Sequence, residues 1–274
     1  MSLTHARGPA AWPAGSDACA EPSRAFGSAG FSVSLGCGRT GRARLWLALA
    51  PAMLTPLADA LVYFVALSDG PAARAAYAAG KAFMLLWPVL ALALILPAGS
   101  LHALPGPARH LRSVAAGAAF GLAVAAVMFA ALASPLGPIL AHASSGIRPK
   151  LELLGVLDHY WLFAAFLSLA HSMLEEYYWR WFVFGRLRRA MPGPAAHALA
   201  AVAFAAHHAV ILSCLFSPAW AAALTPCVAA GGAAWSLLYE RHRSILGPWI
   251  SHMLIDIAAM AAGYLMAFGY LAPT

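Results

Sequence analysis

The chain has 274 residues, of which 62% are hydrophobic and only 10% charged, and its mean hydropathy is +0.74. A soluble domain carries about 25% charged residues, so this composition excludes an ordinary water-facing surface and implies an integral membrane protein. The net charge of +7 is divided among short clusters between apolar runs, which is the pattern of membrane-topology signals and not of a nucleic-acid-binding stripe; the lipid bilayer is the expected partner and nucleic acid is not.

Residues 1–44 are rich in Ala, Gly, Ser, Pro and Arg. They lack the 7–15-residue apolar stretch of a cleavable signal peptide and read as a flexible basic N-terminal tail or as an over-long start of the reading frame. Residues 45–274 read as a transmembrane helical domain. Its seven apolar runs cover roughly 45–67, 82–101, 114–134, 160–184, 195–215, 219–238 and 246–270. Each is close to the ~20 residues that a helix needs to cross the hydrocarbon layer. Strands would need half that length, and open sheet edges are not tolerated in lipid. The predicted fold is therefore all-α: a polytopic transmembrane bundle of seven spans, or eight if 135–158 hides another. Pro88 and Pro97 predict a kink in the second run. With the N-terminus on the cytoplasmic side, twelve Lys or Arg fall on inner segments and four, Arg74, Lys81, Arg148 and Lys150, on outer ones, with Arg180 inside a span. That bias predicts N-in and C-out. Cys19, Cys37, Cys214 and Cys227 show no metal-binding or redox spacing.

The informative residues are the ionisable groups within the runs: Asp59, His171, Glu175, Glu176, Arg180, His207, His208, His252 and Asp256, with His197 near an end. Such groups are costly in lipid and usually face the bundle interior and pair with one another. In EEYYWR, residues 175–180, Glu176 and Arg180 are four apart and share a helix face, so an ion pair there is a structural reading of half the motif. Glu175 needs another partner, and His171, one turn earlier, is a candidate. FAAHH, residues 204–208, puts Phe204 and His208 on one face; HMLID, residues 252–256, does the same for His252 and Asp256. Asp59 reads as a polar group at a helix interface.

Depth supports a common site. At about 1.5 Å per residue, Glu175 is ~16 Å from Arg186, His252 ~14 Å from Arg243, and His208 ~20 Å from the start of its helix. An apolar pocket can tune a glutamate toward general-base work near neutral pH. A histidine beside it can orient water, and a second histidine with an acid can serve a developing oxyanion. These parts suffice to hydrolyse an amide with no cofactor. By ligand type alone, one Glu, two His and one Asp also suit zinc or another divalent metal.

Taken together, EExxxR at Glu175, Glu176 and Arg180, FxxxH at Phe204 and His208, and HxxxD at His252 and Asp256 resemble the CPBP family of CAAX prenyl proteases and bacteriocin-processing (Abi) proteins. The resemblance covers about residues 150–265. It implies a glutamic-type intramembrane endopeptidase. By the family's pattern Glu175 activates water, His208 assists, His252 and Asp256 bind or support the oxyanion, and Glu176, Arg180 and Phe204 are supporting. The chain departs from the pattern at Trp181, where many members have Gly, and at Asp256, where others have Asn. An ionised Asp cannot donate to an oxyanion, so Asp256 would be protonated or would orient His252. The Ala- and Arg-rich composition points to a bacterial inner membrane. The resemblance then implies a membrane-anchored protein or peptide as substrate, with a C-terminal sorting tag as one case. The competing classes are an ion- or proton-coupled transporter and a catalytically silent immunity or scaffold protein of the same fold.

Overall fold

The computed structural model describes residues 39–67, 70–96 and 106–269. Most of the expected tail, together with Cys19, Cys37 and Pro97, lies outside the described residues. With the consecutive turns of one long helix joined, the described residues form nine helices and no strand. They are α1 (Arg39–Leu61), α2 (Gly70–Leu94), α3 (Pro107–Leu132), α4 (Leu136–Ala143), α5 (Ile147–Leu154), α6 (Leu157–Ala190), α7 (Gly193–Leu215), α8 (Pro218–His242) and α9 (Leu246–Ala267). The chain is thus an all-α polytopic bundle. Six helices are long and apolar enough to cross a membrane, and seven if α5 and α6, which meet at 93°, count as one broken span. The 135–158 segment holds two short helices and adds no eighth span; the described residues give six spans, one fewer than the lower expected number unless the bent α5–α6 pair counts as the seventh.

Local chemistry explains several boundaries. Helices α3, α7 and α8 each open with Pro in the first turn, where the missing N–H has no helical partner to lose. Helix α5 stops at Gly155, whose φ of +66° is a left-handed conformation that costs glycine little. The second span differs from expectation. It begins at Gly70, well before residue 82, and runs through Pro88 to Leu94. The intervening PAARAAYAAGK is alanine-rich and strongly helix-forming. Arg74 and Lys81, assigned from sequence to an outer connection, therefore lie inside α2.

Helix α6 is not uniform. π turns at Leu167–His171 and Tyr177–Phe184 flank the five-residue α segment Ser172–Glu176. Such turns widen the helix, re-aim side chains and recur at functional positions. The aromatic residues after Glu176 build the core: Tyr178, Trp179, Phe182 and Phe184 are fully buried. The Tyr178 hydroxyl donates to the Ala52 carbonyl of α1 at 2.7 Å, and the Tyr177 hydroxyl donates to the Leu85 carbonyl of α2 at 3.2 Å. The bulky EEYYWRWF stretch thereby ties α6 to both N-terminal spans. At one end of the bundle Glu240 of α8 accepts from Arg188 of α6 at 2.7 Å and meets His197 of α7 at 2.6 Å.

Small residues let the remaining helices approach. Gly117 and Gly121 of α3 lie against Gly247 and Ser251 of α9, and Gly232 of α8 lies against Phe204 of α7, the close-packing device common between membrane helices. Gly80 of α2 is used in the same way toward a polar group, because a Cβ there would collide with the carboxylate of Asp59 on α1. Gly80→Ala should therefore overpack the α1–α2 contact, destabilising by about 1–3 kcal/mol. The apparent melting temperature of the detergent-solubilised protein should fall, and an unchanged value would show that Asp59 can move aside.

Candidate active site

Helices α6, α7 and α9 converge on the carboxylate of Glu175, which is 2% exposed. Its Oε1 lies 3.4 Å from His171 Nε2, one turn earlier on α6, and 3.4 Å from His207 Nε2 of α7. Its Oε2 lies 3.7 Å from His252 Nε2 of α9. One acid thus faces imidazoles from its own helix and from two others. The 204–208 stretch has a further feature. The His208 Nδ1–H donates to the Phe204 carbonyl at 3.0 Å. A carbonyl can only accept, so this contact assigns the proton to Nδ1 and leaves Nε2 with a free lone pair.

Glu176 faces another way and does two things. It accepts from Arg180 Nε at 2.9 Å and from Arg180 Nη2 at 3.4 Å, the ion pair that helical spacing predicts. Its Oε1 also accepts from His252 Nδ1 at 2.9 Å. Glu176 therefore fixes the orientation of His252 and turns Nε2 toward Glu175 and toward Asp256 Oδ1, 3.6 Å away. Glu176 and Arg180 are both fully buried. A buried pair is tolerable only when its remaining hydrogen-bonding positions are filled. His252 fills one, and Ser236 Oγ, 3.5 Å from Arg180 Nη1, fills another.

Aromatic rings wall the site. The Arg180 guanidinium sits over the rings of Phe204 and Trp235, at 4.8 and 5.3 Å from their centroids, a favourable arrangement when the cation is desolvated. Trp235 also stacks on His252 with centroids 4.1 Å apart, and its indole N–H donates to Ser251 Oγ at 3.0 Å. Trp179 lies parallel to His207 at 5.6 Å. Phe204, the first residue of the FxxxH motif, therefore supports Arg180 from the cation–π side and His208 through its carbonyl.

Every site residue expected from the sequence lies in this one region: Glu175, His208, His252 and Asp256, with Glu176, Arg180 and Phe204 around them. Three contributions are not readable from the motifs. His207, and not only His208, faces Glu175. The HH doublet was visible, but the FxxxH spacing selects the second histidine alone. Glu176 positions His252 across helices. Asp59 and Lys81, from α1 and α2, lie within electrostatic reach of His207 and Glu175 respectively. Asp59 is thus an interface group, as its sequence suggests, but the interface borders the site.

For a metal ion, the ligand atoms that come together are those of Glu175, His207 and His208, all within 4.8 Å of one another. The sequence-level set had included His252 and Asp256 in place of the second α7 histidine. One carboxylate and two imidazoles suit a divalent transition metal by ligand type. His208 carries the outer hydrogen bond that usually orients a metal-bound imidazole, whereas His207 Nδ1 has no hydrogen-bond partner among the described residues.

A family model described as type II CAAX prenyl endopeptidase Rce1-like matches residues 157–258, a stretch that begins with α6 and ends within α9, after Asp256. No curated protein and no solved structure matches the chain. The matched segment contains Glu175, Glu176, Arg180, Phe204, His208, His252 and Asp256, and the family is one of proteases. Residues 157–258 are thus similar to the Rce1-like domain of the CAAX-protease (CPBP) family.

Proposed function

We propose that the protein is an intramembrane endopeptidase that hydrolyses a peptide bond of a membrane-anchored protein or peptide with water activated by Glu175. The observation that carries this reading is the buried Glu175 carboxylate facing imidazoles of α6, α7 and α9 at 3.4–3.7 Å. Glu175 takes a proton from water as the water attacks the scissile carbonyl. His208, with its proton held on Nδ1 by Phe204, accepts a hydrogen bond at Nε2 and aims the water. His252, held by Glu176, serves the developing oxyanion from Nε2 when that nitrogen carries a proton. Asp256, 3.6 Å from Nε2, orients His252 or, when protonated, donates itself. Preorganised donors of this kind, in a site that excludes water, are worth far more than in solution. The proton on Glu175 then goes to the leaving amine.

The protein would work in a bacterial inner membrane with its N-terminus cytoplasmic, as the arginine bias indicates, and the membrane-anchored substrate would carry a C-terminal sorting tag. This reading uses no metal. The Glu175, His207 and His208 group favours a second reading, in which these three side chains hold a divalent cation that polarises the water and the carbonyl. One assay separates the two. Purified protein in liposomes is mixed with membranes from cells that lack it, and new protein termini are followed by mass spectrometry. With glutamate-activated water, new termini should appear at equal rates with and without EDTA. Loss of cleavage in EDTA, restored by zinc, would favour the metal reading. No new termini under any condition would count against a peptidase.

A further inference from the structure

A cavity of about 340 Å³ lies beside the site, between α2 and the first half of α6. Its walls are apolar, formed by Ala82, Leu85, Phe166, Ala170 and Leu174, except for two nitrogen-bearing side chains, Lys81 and His171. His171 is the same imidazole that stands 3.4 Å from Glu175, so the cavity adjoins the carboxylate assigned as the base. Lys81 is the unusual element. It is eleven residues into α2, a helix long and apolar enough to cross a membrane, and a lysine at such depth ordinarily has an anionic partner. Its Nζ lies 3.8 Å from the Met84 sulfur and 5.0 Å from the centroid of the Tyr77 ring. Glu175 and Asp59 act on it electrostatically, but among the described residues neither forms an ion pair with it.

We propose that Lys81 is a specificity-determining residue that pairs with a carboxylate of the bound peptide, in an apolar slot next to the scissile bond. The inference rests on the peptidase reading above and names what that site selects. An apolar slot with one ammonium suits an apolar peptide segment bearing a single negative charge. The volume lies within the ~300–1,000 Å³ typical of ligand pockets. The ammonium offers three N–H donors, and Met and Tyr, its present neighbours, satisfy none of them as strongly as a carboxylate would. Two sources share this chemistry: the free C-terminus of the peptide and an Asp or Glu side chain within it.

The test reads binding and not cleavage, so its outcome is separable from that of the peptidase reading. Three probes are titrated onto the full chain in nanodiscs: acetyl-trileucine with a free carboxylate, its amide, and acetyl-Leu-Glu-Leu amide. The wild type should bind at least one of the two carboxylate peptides about tenfold or more tightly than the trileucine amide, the scale of a charge-assisted hydrogen bond. The free acid winning identifies the terminus; the glutamate peptide winning identifies a side chain. Lys81→Met should erase the preference and leave amide binding unchanged, and Lys81→Arg should retain most of it. Equal binding of all three probes by the wild type, or a preference that survives in Lys81→Met, would overturn the assignment.

Discussion

Glu175→Gln should abolish cleavage, lowering the rate by about 10²–10⁴-fold, the usual contribution of a positioned general base, while leaving the bundle folded. Gln keeps the length and shape of Glu, and its amide oxygen still accepts from His171 and His207. It removes only the ability to take a proton. Glu175→Asp keeps the carboxylate but withdraws it by one methylene from imidazoles that lie 3.4–3.7 Å away. A displacement of ~1 Å at a reacting group can cost 10²-fold, so the Asp variant should also be slow. Rates are compared on one substrate in liposomes, with apparent melting temperatures as the control for folding. A Gln variant that stays folded and cleaves within tenfold of wild type would remove Glu175 from the chemistry.

The second large effect is on stability. Arg180→Met removes the cation from a fully buried pair and leaves Glu176 without it, at an expected cost of 3–5 kcal/mol, roughly the scale for breaking a buried ion pair from one side. The guanidinium's contacts with Phe204, Trp235 and Ser236 are lost as well. The double variant Arg180→Met/Glu176→Gln should recover part of the loss, because no charge is then left unpaired. Its amide oxygen can still accept from His252 Nδ1. Denaturation of the wild type, Arg180→Met, Glu176→Gln and the double variant in mild detergent gives the coupling energy directly. Additive effects of the two substitutions would mean that Glu176 and Arg180 do not act as a pair.

The fold was legible because the bilayer imposes a length and a polarity that few sequences satisfy by accident. Where the reading slipped, at the start of α2, the cause was composition: alanine with scattered Arg and Lys is a good helix former but a weak hydropathy signal. The within-helix relations were legible too, since Glu176–Arg180 and His252–Asp256 follow from 3.6 residues per turn. Relations across helices were not. The His252–Glu176 hydrogen bond joins residues 76 apart, and no spacing rule connects them. The turn of His207 toward Glu175 depends on how α7 is rotated, which is set by Trp179 of α6 packing against Phe204 and His207. The π turns on both sides of Ser172–Glu176 also shift which faces of α6 align, and nothing in the hydrophobic pattern marks them. Asp59 and Lys81 were read as an interface group and an outer cation because their nearness to the site depends on the α1–α2 approach at Gly80.

The most direct test of the account is a comparison of membrane-protein termini in native cells carrying wild-type protein or Glu175→Gln at equal abundance. The account predicts that one class of membrane-anchored precursor accumulates uncut in the variant and is cut at a defined bond in the wild type. Identical termini in the two strains would contradict it, and would direct attention to ion transport through the same buried Glu and His residues.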